Sequence, residues 1–263
     1  MKPMLASQFD KSRVQFPCLV QPKYDGVRCL MLIGDDKDVH LISRGGKEYD
    51  VPKLKAWGAR HKWMLPLDGE IYVHKGLTFQ QICSAVKCKT ELTDRLRYVV
   101  YDRPRLGDND KRWMDLMCDF EHAISNEAYL SDWKVCYSFD EINAYHDECV
   151  KQGYEGAIIR NLKGKYIEGR SGDLMKLKKM DTDEYVIIDV IEASGKDAGT
   201  ALFRFRCNGV ECAARPVGDM ELRRKYLQDK WSIIGKMCTI RHQGFTDAGI
   251  PRFPVALAIR DYE

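Results

Sequence analysis

Lys23, Asp25 and Arg28 stand in the stretch "QPKYDGVRCLML" (residues 21–32), between apolar runs at 18–20 and 27–33. A free lysine, with a pKa of about 10.4, is uncharged in roughly one molecule in 2,500 at neutral pH, and only the uncharged amine attacks an electrophile. Neighbouring cations, a metal or partial desolvation are needed to favour the neutral form. The competing reading is a hairpin turn with solvated charges, because Asp25-Gly26 is a frequent turn pair. Suitable partners for a reactive lysine occur elsewhere. "LDGEIY" (67–72) sets Glu70 on a strand after a turn, and "YEGAIIR" (154–160) sets Glu155 at the mouth of another. "LMKLKKM" spaces Lys176 and Lys178 two residues apart, so both amines project from one face of a strand. Two lysines beside a third would lower its pKa and hold a triphosphate, while two separate acids suit ribose hydroxyls and a divalent cation.

These side chains need a scaffold, and the rest of the chain predicts one. Short β-type runs lie at 19–33, 39–43, 67–73, 96–102, 156–160 and 173–179. Helical patterns fall between them, notably "LTFQQICSAVK" with Thr78 as N-cap, and residues 113–129. This is an α+β pattern with mixed sheets. After Met180 the character changes to five short strands with one helix, "MELRRKYLQDKW", inserted. Five strands in about 80 residues fit a small barrel of the OB type. The acidic stretch "KMDTDEY" marks the boundary, giving one domain over 1–182 and a second over 183–263.

Bulk properties narrow the class. With 44% hydrophobic and 31% charged residues, the 263-residue chain is too apolar for a disordered one. No apolar run approaches the roughly 18 residues of a membrane span, and the N-terminus lacks the core of a signal peptide, so a cytoplasmic protein with no membrane partner is expected. Ten scattered cysteines form no C-x-x-C pair and no zinc spacing, and read as free thiols in a reducing compartment. Net charge is only +3, but residues 151–180 carry eight Lys/Arg against three acids, whereas 183–263 balance at twelve each. That local excess suits either a solvated face or a surface for polyphosphate or nucleic acid.

Six short motifs, taken in order, carry a family resemblance: "KYDGVR" (23–28), "SRGG" (43–46), "DGEIY" (68–72), "YVVYD" (98–102), "EGAIIR" (155–160) and "MKLKK" (175–179). The set resembles the covalent nucleotidyltransferases, which comprise ATP-dependent DNA ligases, RNA ligases and mRNA capping guanylyltransferases, over nearly the full chain. "GRS" (169–171) and the closing "PRFPVALAIRD" are similar to the small DNA ligases of phages and large viruses. The resemblance implies a nucleotidyltransferase (adenylation) domain with mixed antiparallel sheets, followed by an OB-fold barrel. It implies that Lys23 takes the AMP, that Arg28 and Glu70 hold the ribose, and that Tyr101 stacks on adenine. Gln21 would read the adenine edge. Glu155 would bind the catalytic metal, Mg²⁺ or Mn²⁺, while Lys176 and Lys178 neutralise the α-phosphate. Arg44 and Arg170 are expected on phosphates, Arg44 on that of the nick, and Arg252 and Arg260 are expected to close over the ATP.

Two departures stand out. Similar viral ligases end in an acidic–basic pair that orients pyrophosphate, whereas this chain stops at "RDYE", so either Asp261 substitutes imperfectly or the first step relies on other groups. The connection between Arg215 and Lys236 reads as a helix, with no long hairpin to wrap a duplex. The resemblance thus implies a minimal, monomeric DNA ligase acting on nicked duplex DNA. ATP is the expected donor, because 22 residues before Lys23 are too few for the extra domain of NAD-dependent ligases. The alternatives are an RNA ligase or capping enzyme, and a non-catalytic OB-containing protein that binds single strands. Intact Lys23, Glu70, Glu155, Lys176 and Lys178 weigh against the last.

Overall fold

The structure, a computed structural model, describes residues 1–246 and 248–260. The chain divides into two compact units, Met1–Lys178 and Lys179–Glu263. The first runs β1 (Met4–Gln8), β2 (Cys18–Lys23), β3 (Val27–Ile33), β4 (Val39–Ser43), α1 (Pro52–Arg60), β5 (Leu67–Tyr72), α2 (Phe79–Lys87), β6 (Arg97–Asp102), α3 (Asn109–Phe120), β7 (Ala128–Leu130), β8 (Lys134–Cys136), α4 (Phe139–Gln152), β9 (Gly156–Asn161) and β10 (Gly169–Lys178). Its strands form two five-stranded sheets, ordered β1-β10-β9-β2-β8 and β4-β3-β5-β6-β7. Only the β1–β10 and β6–β7 pairs are parallel.

The β-rich run at 19–33 is therefore two strands in two different sheets. Cys18, Val20, Ala157, Ile159 and Met175 pack with Ile142 of α4 on one side of the first sheet. Leu19, on the other side of β2, joins the large core built around the second sheet. Covered on both faces, β2 buries every residue through Pro22, which explains its unbroken apolar start. The segment "KYDG" is the place where the chain leaves one sheet for the other.

Local signals account for several elements. Thr78 caps α2 as expected, its hydroxyl accepting from the Gln81 amide while the Gln81 side chain accepts from the Thr78 amide. The helical pattern at 113–129 overshoots, because α3 stops at Phe120 and residues 128–130 pair with β6, burying Ala128 in the core. A tertiary partner for that backbone overrides the periodicity. α4 lies outside the helical patterns expected from the sequence. Ser138 caps its start, and Gly153, at φ 100°, ends it in the left-handed conformation that glycine adopts freely.

The second unit contains β11 (Asp181–Val186), β12 (Asp189–Glu192), β13 (Ala201–Cys207), β14 (Val210–Pro216), α5 (Met220–Gln228), β15 (Met237–His242) and β16 (Val255–Arg260). They form one six-stranded sheet, β11-β15-β16-β14-β13-β12, around Ile187, Val190, Phe203, Phe205 and Ile240. Five strands were expected and six are found. The run "EYVIIDVIEA" breaks after Val186 because its backbone turns between two partners, Ile187 donating to Lys236 O and Ile188 to Arg204 O. β11 and β12 consequently stand at opposite edges, and backbone pairing among the described residues does not close a barrel. The Arg215–Lys236 connection is α5 and a short 3₁₀ turn, as expected of a helix. Asp261 lies outside the described residues. All ten cysteines are free, and no described helix is long and apolar enough to cross a membrane.

Candidate active site

Strand register assembles the lysines. Gly156 of β9 lies opposite Lys23 of β2 on one side and Lys178 of β10 on the other; two residues along, Ile158 lies opposite Gln21 and Lys176. Because side chains alternate with period two, Lys23, Gln21, Lys178 and Lys176 share one face of the first sheet. Gly156 sits at φ 144°, and a Cβ there would lie 2.2 Å from Leu177 O and 2.9 Å from Lys178 Cα. Only glycine lets β9 pass between the two lysine strands.

Glu155 precedes that glycine, and its backbone N–H donates to Lys23 O at 2.9 Å. Its carboxylate bridges the two amines, Oε2 accepting from Lys23 Nζ and Oε1 lying 2.5 Å from Lys178 Nζ. Burial would raise this carboxyl, but Lys23 and Lys178 outweigh it and hold Glu155 below the usual carboxylate range. Burial, then the charges of Lys178, Lys23 and Arg170, bring Lys176 below the ordinary lysine value. Three lysines around one carboxylate, with the charge of Arg170 felt at Lys176, make a concentrated positive site suited to a polyphosphate.

The second sheet supplies the other side. Arg28 of β3 pairs with Glu70 of β5, and a Cβ on Gly26 would meet Ile71 O at 2.5 Å and Glu70 Cγ at 2.8 Å, so the turn glycine lets β5 come close. Arg28 makes a fork to Asp68, Nε–Oδ1 2.6 Å and Nη2–Oδ2 2.5 Å, and donates to Met4 O at 2.9 Å. Tyr166 donates to the same Asp68 at 2.7 Å. Glu70 accepts from the Tyr101 hydroxyl at 2.9 Å, and burial pushes its carboxyl up to about 7. The Tyr101 ring carries the Arg28 guanidinium 4.9 Å from its centroid.

Lys23, Lys176, Lys178, Glu155 and Arg170 thus come together, and Gln21, Arg28, Glu70 and Tyr101 form a second group joined to the first through β2 and the charge of Lys23 on Glu70. Arg170 also donates to Ala6 O at 3.0 Å. Arg44 lies exposed in the turn after β4, with no hydrogen bond or ion pair among the described residues. Arg252 and Arg260 belong to the second unit, where Arg252 is exposed and Arg260 donates to Thr239 at 2.8 Å and pairs with Glu184. Asp68, Asp102 and Arg160 are not among the site residues expected from the sequence, although each stands inside one of the six motifs. Their signal was a charged residue within an apolar strand. Asp102 is buried against Arg160 and Arg112 at 2.6 and 2.9 Å; burial opposes its charge, but the two guanidiniums keep it below its normal range.

Solved structures share this architecture. A Lig E DNA ligase matches with a TM-score of 0.74 over 99% of both chains, a likeness in fold at 23% identity. The Chlorella virus DNA ligase-adenylate matches with a TM-score of 0.54 and 28% identity, over 100% of this chain and 99% of that one. The architecture is that of the adenylation and OB domains of DNA ligases. The profile of the ATP dependent DNA ligase domain matches residues 3–178, and the chain belongs to that family. The DNA ligase of African swine fever virus (isolate Tick/South Africa/Pretoriuskop Pr4/1996) is 30% identical over 209 residues, covering 70% of this chain and 47% of the viral protein. The DNA ligase of Enterobacteria phage T6 is 24% identical, covering 98% of this chain and 68% of its own length. The chain spans about half the length of the swine fever virus relatives it matches.

Proposed function

We propose that the chain is an ATP-dependent DNA ligase that seals 5′-phosphate/3′-hydroxyl nicks in duplex DNA, with the first unit as adenylation domain and the second as OB domain. One observation carries the reading: within a domain of this family, strand register gathers Lys23, Lys176 and Lys178 on one face around Glu155. Lys23 Nζ attacks the α-phosphorus of ATP, forming an N–P bond as the bond to the β-phosphate oxygen breaks and pyrophosphate leaves. The amine loses a proton, and Glu155 Oε2, already its hydrogen-bond acceptor, is positioned to receive it. Lys176 and Lys178 face the growing negative charge, and positioning with charge neutralisation does the rest. The 5′-phosphate of the nick next displaces Lys23 from AMP, and the 3′-hydroxyl finally displaces AMP from the DNA.

A divalent cation fits in a shared mode. No described cluster of three His, Cys, Asp or Glu forms an all-protein site, but Mg²⁺ commonly takes one carboxylate plus substrate phosphates, and the Glu155 side chain is 23% exposed. Mg²⁺ held there by Glu155 would neutralise phosphate charge. Arg28 and Glu70 on the ribose, Tyr101 on the adenine face, Gln21 on its edge, Arg44 and Arg170 on phosphates, and Arg252 and Arg260 over the triphosphate complete the proposal.

The test uses α-labelled ATP or GTP with Mg²⁺ and denaturing electrophoresis. ATP should label the protein, and labelling by GTP alone would reassign it to the capping enzymes. Lys23→Ala should abolish labelling and ATP-dependent sealing, yet still join a nick already carrying 5′-adenylate. Glu155→Ala should damage that last step as well. ATP-dependent sealing by Lys23→Ala at a near-normal rate would refute the mechanism.

A further inference from the structure

The site contains a buried polar chain of which the proposed chemistry uses only the first residue. It begins at Gln21, 1% exposed, whose amide has a chemically distinct partner at each end. Oε1 accepts from Arg160 Nε at 2.7 Å, and Nε2 donates to the Tyr101 carbonyl at 3.4 Å. A guanidinium can only donate and a carbonyl can only accept, so turning the amide over would set donor against donor and acceptor against acceptor. One orientation of Gln21 is therefore enforced.

Arg160 is itself fixed. Its Nη1 meets Asp102 Oδ2 at 2.6 Å, and Asp102 Oδ1 meets Arg112 Nε at 2.9 Å. Arg112, on α3, is tied to Gly107 O and Gly164 O at 2.7 and 3.2 Å. A register shift in β6 makes this possible: Asp102 lies opposite Asp68 but Val100 lies opposite Gly69, leaving Tyr101 as an extra residue in the ladder. A bulge of this kind re-aims side chains, and two consecutive residues reach Arg160 here, Tyr101 with its ring 5.6 Å away and Asp102 with its carboxylate.

A free amide serves adenine or guanine equally by turning over, because the two bases exchange donor for acceptor at position 6. A locked amide serves only one. We infer that Arg160, braced by Asp102 and Arg112, is a positioning residue that sets the purine preference of the donor nucleotide by locking the Gln21 amide. This rests on the proposed function, in which Gln21 faces the base.

Arg160→Lys tests it, keeping a positive charge for Asp102 while removing the fork that holds Gln21 Oε1. Self-labelling rates with ATP and GTP are compared in wild type, Arg160→Lys, Gln21→Ala and the double variant. The ATP:GTP ratio of specificity constants should fall by about tenfold or more in Arg160→Lys, the size of one discriminating base contact. In the Gln21→Ala background, the same substitution should leave the ratio unchanged. A merely structural loss would slow both nucleotides alike, so an unmoved ratio in Arg160→Lys overturns the inference, as does an equal fall in both backgrounds. Failure of the wild type to label with either nucleotide would instead overturn the proposed function.

Discussion

Glu70 concentrates the chemistry of the site in a single titration. Burial raises its carboxyl to about 7, against the opposing charge of Arg28 and the hydrogen bond from Tyr101. In the proposed ribose contact, the carboxyl would take a proton as pH falls through that value and weaken as an acceptor; as pH rises through it, the carboxylate would form and binding strengthen. The ratio of ATP association constants, wild type over Glu70→Gln, should therefore climb several-fold between about pH 6 and about pH 8, bounded by roughly tenfold per pKa unit. Dividing by the variant cancels the titration of the nucleotide itself. Isothermal titration at several pH values measures it, and a flat ratio would remove Glu70 from the ribose contact. The identity of such residues was legible in the motifs, but their partners were not. Asp68 receives Arg28 and Tyr166 from strands and loops distant in sequence, and only folding joins them.

At the scale of elements, the start of β9 holds the lysine face together. Gly156 combines φ 144° with backbone contacts that leave no room for a methyl group. Gly156→Ala should cost about 1–3 kcal/mol in conformational strain alone. Urea denaturation reads this as a lower midpoint at unchanged slope, and a midpoint equal to wild type would show that β9 can shift without cost. Self-adenylation should fall beyond what the lost stability explains, because moving β9 moves Lys23 and Lys178 apart. The α2 capping box could be read from Thr78 and Gln81, since both partners lie within one turn. The end of α3 could not, because residues 121–127 become a connection only through β7 pairing with β6.

For the molecule as a whole, the connection between β14 and β15 is a helix, and under the proposed function grip on a duplex would rest on phosphate contacts. Each neutralised phosphate adds roughly 0.9 to the slope of log affinity against log salt. Nick affinity, measured by fluorescence anisotropy, should fall by two or more orders of magnitude between about 50 and about 200 mM salt. A nearly flat curve would mean that apolar or base contacts dominate instead.

The sequence by itself determined which residue types are available and in what order: a lysine two residues from Asp25-Gly26, two alternating lysines, and acids placed before or within apolar strands. Those features survive without tertiary information because they depend on side-chain period and turn chemistry, which are local. It also determined the change of character near residue 180, where helix-rich α+β patterning gives way to short strands. Tertiary structure alone decided that residues 19–33 serve two sheets, so that Lys23 stands where the chain crosses between them. It decided that "EYVIIDVIEA" is two edge strands rather than one, because consecutive amides at Ile187 and Ile188 find partners far apart in the chain. It decided, too, that Gln21, Arg160, Asp102 and Arg112 form one buried chain. Each hydrogen bond there spans residues that are unrelated in sequence, and burial in a low dielectric makes every one of those groups require its partner.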